Sequence, residues 1–169
     1  MPMRMKQLLY RMSLRKCGVK MAEFYVTLSQ REIAKQIANL LNRYNRLYTY
    51  HTEYSIMSSA ANYFVEIVED KVVGCAALLK EYPELSKSYH TSVLPEYRRK
   101  GLGAKLLLTS INNCDTPYVY GTIREDNTAS LGLVGKLGWK FIRKDWNIDH
   151  YIITMANKLL IQGENYVGP

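Results

Sequence analysis

The stretch "SKSYHTSVLPEYRRKGLGAKLLLTSI" (86–111) restricts the fold more than any other part of the chain. Residues 86–94 read as a strand, and Pro95 stops it. Three basic residues, Arg98, Arg99 and Lys100, then run into Gly101 and Gly103. The glycine pair opens a helix whose apolar stripe is Leu102, Leu106, Leu107 and Ile111. A helix N-terminus presents unpaired N–H groups and a partial positive charge, so phosphates bind there readily. Glycines let the backbone come close to such a ligand. "RRKGLG" therefore makes physical sense as a pyrophosphate cradle, against the plainer reading of a basic turn before a buried helix. Two other cradles are excluded. A dinucleotide fingerprint needs Gly or Ala at position 106, where Leu106 stands. A Walker loop needs Ser or Thr after its Gly-Lys step, and Gly135-Lys136 is followed by Leu137.

The flanking sequence predicts which elements surround this unit. "EFYVTL" (23–28) reads as a strand. Ser29 with Glu32 is a capping-box signal, and Ile33, Ile37, Leu40 and Leu41 share one helical face. Residues 42–62 are polar and Tyr-rich, with room for a second short helix. "NYFVEIVE" (62–69) and "VVGCAALLK" (72–80) form a hairpin turned at Asp70-Lys71. A loop broken by Pro83 follows. "TPYVYGTIR" (116–124) is a strand, and "NTASLGLVGKLG" (127–138) a short helix stopped by Gly138. "WKFIRKD" (139–145) and "DHYIITMAN" (149–157) are closing strands joined at Trp146-Asn147. The predicted fold is a single α/β (α+β) domain, with a mixed central sheet of about six to seven strands flanked by helices.

Composition narrows the function classes. The 169 residues fit one compact domain, and no apolar run approaches a membrane span. The net charge of +8 is concentrated at the start. Residues 1–20 hold Arg4, Lys6, Arg11, Arg15, Lys16 and Lys20 and no acid, so the remainder is nearly balanced. This segment reads as an arm for nucleic acid, a targeting peptide, or an extension before a second start at Met21; the extension is the favoured reading. The expected organisation is a basic extension (1–20), a domain (21–157) and a tail (158–169). Cys17, Cys75 and Cys114 are isolated, which predicts a reducing, cytoplasmic setting without disulfides. His51, His90 and His150 are far apart, and no metal site is expected.

"VLPEYRRKGLGAKLL" and "NTASLGLVGKLGWKFI" together resemble the two central motifs of the GCN5-related N-acetyltransferase superfamily. The first motif reads Val93, Pro95, Arg98, Gly101, Gly103; the second reads Asn127, Ser130, Lys136, Gly138, Trp139. The resemblance spans residues 22 to 157 in element order and is sharp over 86–143. It implies a sheet splayed at the end of the strand before the glycine turn, and acetyl-CoA as co-substrate. The strand backbone around Thr91, Val93 and Leu94 would meet the pantetheine arm, and the Thr91 N–H would polarise the acetyl carbonyl. Arg98, Arg99, Lys100, Gly101, Leu102, Gly103 and Ala104 would hold the pyrophosphate, and Asn127 and Ser130 would reach the same ligand. A primary amine, on a small molecule or a protein, would attack the thioester directly.

The sequence departs from the family at both expected proton-transfer positions. Val134 stands where many members carry a Tyr acid. Lys87 stands near the place of a Glu base in some relatives. His90 is the nearest titratable group, and Tyr120 and Tyr89 are phenols on neighbouring strands; each also has a plain packing role. Glu125 is a base candidate through water, or with Asp126 a cap for the next helix. Tyr44, Tyr48, Tyr50 and Tyr54 fall where the family builds its acceptor wall. Two further functions stay open: a CoA-binding or partner-binding module without catalysis, and a transferase acting on a nucleic-acid-associated substrate. Nucleic acid is the less favoured partner, no membrane partner is expected, and the chain is a monomer or homodimer.

Overall fold

A computed structural model describes residues 28–158. The strand expected over 23–28 falls outside these residues but for Leu28, as do the basic extension and residues 159–169. Helix α1 (Gln30–Tyr44) starts at Ser29, whose hydroxyl accepts the Glu32 N–H at 3.2 Å. The Glu32 carboxylate does not return the bond; it lies 3.5 Å from the Gln36 amide nitrogen. Ile33, Ile37, Leu40 and Leu41 are all buried. The Tyr-rich stretch does hold a short helix, α2 (Glu53–Met57), begun by a reciprocal capping box between Thr52 and Ser55.

Six strands follow among the described residues: β1 (Asn62–Val68), β2 (Lys71–Tyr82), β3 (Leu85–Val93), β4 (Tyr118–Arg124), β5 (Lys140–Asn147) and β6 (His150–Lys158). Helix α3 (Leu102–Asn112) joins β3 to β4, and α4 (Thr128–Lys136) joins β4 to β5. The sheet order is β1-β2-β3-β4-β6-β5, with β3 and β4 parallel and the other pairs antiparallel. Alternate side chains of the strands face two cores. Ile37, Leu41 and Ile56 pack with Tyr63, Val73 and Cys75 on the α1/α2 face. Leu107, Val119, Val134, Trp139 and Met155 pack on the α3/α4 face.

Two turns sit elsewhere than expected. The first hairpin turns at Glu69-Asp70, with φ of 49° and 59°, and Lys71 already pairs with Val68. A two-residue hairpin needs left-handed residues to match the strand twist, and no Asn-Gly or Asp-Gly marks the place. The last hairpin turns at Ile148-Asp149, where Ile148 has φ 56° and Asn147 pairs with His150. Trp146 is therefore a strand residue, packed edge-on against Tyr151 at 4.9 Å. β6 also runs to Lys158, one residue past the expected domain end. Among the described residues no helix is long and apolar enough to cross a membrane, and no group of three His, Cys, Asp or Glu is arranged to hold a metal.

Candidate active site

The site begins with a failure of strand pairing. β3 and β4 are in register only from Leu85–Lys87 to Tyr118–Tyr120, and beyond that they separate. The cause lies in β3. Cys75 pairs with Ser92 and Ala77 with Tyr89, so His90 and Thr91 together stand opposite Ala76. His90 sits at φ 55°, a left-handed bulge residue, and a bulge bends and twists its strand. The result is a cleft of about 730 Å³ between β3 and β4, reached by Tyr44–Leu47 from the loop after α1 and by α4.

Past the cleft-lining residues, β3 leads through Pro95–Tyr97 into the glycine turn. Gly101 is left-handed at φ 81°, and no side chain caps α3, whereas Ser29, Thr52 and Asn127 cap the other three α-helices. The first intrahelical bond is Lys105 N–H to Gly101 O at 2.9 Å, so the N–H groups of Leu102, Gly103 and Ala104 are left for a ligand. A Cβ on Gly103 would lie 3.6 Å from Leu133 Cδ2, an ordinary contact. Packing therefore does not require glycine there.

The basic run is partly structural. Arg98 Nε donates to Val93 O at 2.8 Å, and its guanidinium lies 5.4 Å from the Tyr44 ring centre. Lys100 Nζ donates to Glu96 O at 2.8 Å. Arg99 is exposed at φ 57°. Val93 and Leu94 have buried side chains, and Leu94 N–H donates to Val73 O at 2.9 Å. On the α4 side, Asn127 Oδ1 accepts the Ser130 N–H at 3.1 Å, and both residues line the cleft. Trp139 also lines it; its side chain is 4% exposed, and its Nε1–H has no hydrogen-bond partner among the described residues.

Thr91 and His90 line the cleft together, and Tyr120 does not. His90 Nδ1 lies 2.8 Å from the Tyr63 hydroxyl, and its ring meets His51 edge-on at 4.7 Å and Tyr89 at 4.1 Å. Burial, with His51 and Lys87 adding to it, pushes the His90 pKa down to about 4. Burial likewise raises the Tyr63 phenol, and pushes the neighbouring Cys75 thiol up to about 12. Tyr120 donates to Glu81 Oε2 at 2.7 Å; burial and that bond push its phenol up to about 12. Val134 is buried in the α3/α4 core, so α4 brings no phenol to the cleft at that position. Glu125 is engaged by Lys144.

Of the four tyrosines expected at the acceptor wall, Tyr44, the last residue of α1, lines the cleft, whereas Tyr50 and Tyr54 are exposed. Tyr48 crosses to the last hairpin, donating its hydroxyl to Asp149 and lying 3.1 Å from His150 Nδ1. Arg46 reaches Asp126 at 2.8 Å, and Arg124 reaches the same carboxylate at 3.3 Å. The arginines and their hydrogen bonds hold Asp126 below its usual range, Arg124 most of all. Apart from the local pair Arg124–Asp126, these bridges join residues 80 to 102 positions apart, and no local spacing announces them.

The sequence profile described as "Acetyltransferase (GNAT) family" matches residues 32–139. An N-alpha-acetyltransferase of Sulfurisphaera tokodaii is 34% identical over 98 residues, which cover 49% of this chain; the match spans only 59% of that relative's length. Among solved structures, the ribosomal-protein-S18-alanine N-acetyltransferase of Escherichia coli superposes with a TM-score of 0.66 at 20% identity, over 79% of this chain and 92% of that one. A GNAT family acetyltransferase from Elizabethkingia anophelis with acetyl-CoA bound gives 0.52 at 16% identity, over 59% and 77%.

Proposed function

Since this chain belongs to the acetyltransferase (GNAT) family, we propose that it transfers the acetyl group of acetyl-CoA to the terminal α-amine of a polypeptide. One observation carries this reading: the β3 bulge opens a cleft between separated strands, and β3 leads on through Pro95–Tyr97 into the uncapped N-terminus of α3. The relative named N-alpha-acetyltransferase supports the choice of acceptor.

Acetyl-CoA supplies an activated acyl group; the chain's residues must hold it, polarise it and manage one proton. The N–H groups of Leu102, Gly103 and Ala104, at the positive end of α3, suit the pyrophosphate. The unpaired Trp139 N–H is a donor for the amide-bearing arm. Thr91, on the bulge and without a partner in the β2 register, offers its N–H to the acyl carbonyl. As the C–N bond forms and the C–S bond breaks, the proton lost by the amine would end on the departing sulfur, which leaves as the free thiol. His90 is neutral at pH 7 and too weak a base to deprotonate an ammonium. The amine therefore enters uncharged, and the cations around the cleft, Arg46, Lys87 and Arg124, favour that form.

The test is mass analysis of peptides incubated with the protein and acetyl-CoA. A peptide with a free N-terminus gains one acetyl group there, and a peptide blocked at its N-terminus but bearing an internal Lys does not. Acetyl-CoA binding without transfer to any free α-amine would sink the proposal.

A further inference from the structure

The charged residues lining the cleft are Arg46, Lys87, Arg124 and Asp126. Three cations face one carboxylate, and that carboxylate already binds Arg46 and Arg124. The other acids nearby are also engaged. Glu81 accepts from Tyr120, and Asp149 is held by Tyr48 and His150. Lys87 is thus the cleft-lining cation that has no ion pair among the described residues. It is half-buried on β3, with Nζ 5.7 Å from the centre of the Tyr120 ring.

The coenzyme's phosphates do not explain this charge. The glycine turn follows Thr91 in the chain, and Lys87 precedes it, so the two lie in opposite directions along β3 from the bulge. Lys87 belongs to the acceptor side. A strand advances about 3.3 Å per residue, which sets Lys87 at most about 13 Å from Thr91. An anion meeting Lys87 therefore lies beyond the reacting amine, at the reach of a side chain. In a polypeptide acceptor the first carboxyl is an amide, so the anion is a side-chain carboxylate.

Resting on the N-acetyltransferase reading above, we infer that the acceptor is a polypeptide N-terminus with a carboxylate side chain in its first two residues, read by Lys87. Lys87 is a specificity residue here: it pairs with the acceptor's anion and takes no proton from its amine. The tyrosine ring beneath Nζ holds the ammonium in place without neutralising it.

The experiment uses two peptide series with free N-termini, varied at residue one or residue two among Asp, Asn and Lys. Thiol release gives kcat/KM, and calorimetry with CoA present gives acceptor affinity. The wild-type protein prefers Asp over Asn by about tenfold in one series, with the difference in KM. Lys87→Gln brings the ratio near one, Lys87→Arg keeps it, and Lys87→Glu turns the preference toward Lys. Equal use of Asp and Asn in both series overturns the inference, as does a ratio that survives Lys87→Gln. Absence of turnover with selective binding overturns the transferase reading and supports the role of Lys87. Absence of both turnover and binding overturns both.

Discussion

At the scale of single residues, burying an imidazole removes its charge, and His90 shows the consequence. Its pKa, about 4 when folded, lies below the ordinary value of 6.5. Between those values the unfolded chain holds a proton that the folded chain does not, so stability rises with pH across the window. The contribution is fully present above pH 6.5 and is lost as pH falls toward 4. Allowing for partial exposure, the loss is about 2 kcal/mol. His51, lowered in the same direction by burial, adds to it. Urea unfolding at pH 7.5 and pH 5 measures this: His90→Gln shrinks the difference, and an unchanged difference would mean that the imidazole is not desolvated. The sequence showed His90 as a titratable strand residue near the glycine turn. It did not show Tyr63 or His51 beside it, because those contacts depend on β1 and β3 flanking β2 in the sheet and on where the loop between α1 and α2 falls.

At the scale of elements, the strand–glycine turn–helix unit was legible because its signals are local: Pro95 ends β3, Gly101 supplies the left-handed cap, and a leucine stripe follows. The β3 bulge was not legible, since it exists only in the register between β2 and β3. The turn at Ile148-Asp149 carries no sequence signal because its left-handed position falls on Ile148, a β-branched residue that rarely adopts positive φ. Element packing makes its own prediction at Gly74. A Cβ there would sit 2.8 Å from Leu106 Cδ1 and 3.3 Å from Ser92 O, where β2 meets α3 beside the glycine turn. Gly74→Ala is expected to destabilise the fold by about 1–3 kcal/mol through overpacking. A melting temperature equal to wild type would show that α3 is seated more loosely on the sheet.

At the scale of the whole molecule, the separation of β3 from β4 opens a cleft lined by the β3 bulge, the loop after α1 and the start of α4. The mouth is spanned by Arg46 to Asp126 and by Tyr48 to Asp149, contacts that only the closed topology creates. The central claim is that this cleft holds acetyl-CoA with its phosphates on the α3 N-terminus. Gly103→Asp tests it while leaving the fold sound. The backbone there has room for a side chain, and an acidic residue in a first helical turn stabilises by about 0.3–1 kcal/mol. The measurement is a calorimetric titration of wild type and Gly103→Asp with acetyl-CoA, beside a thermal melt of each. The account predicts a variant at least as stable as wild type whose affinity for acetyl-CoA falls by more than about tenfold. A folded variant that binds acetyl-CoA as tightly as wild type would contradict it, and the glycine turn would then be a structural turn alone.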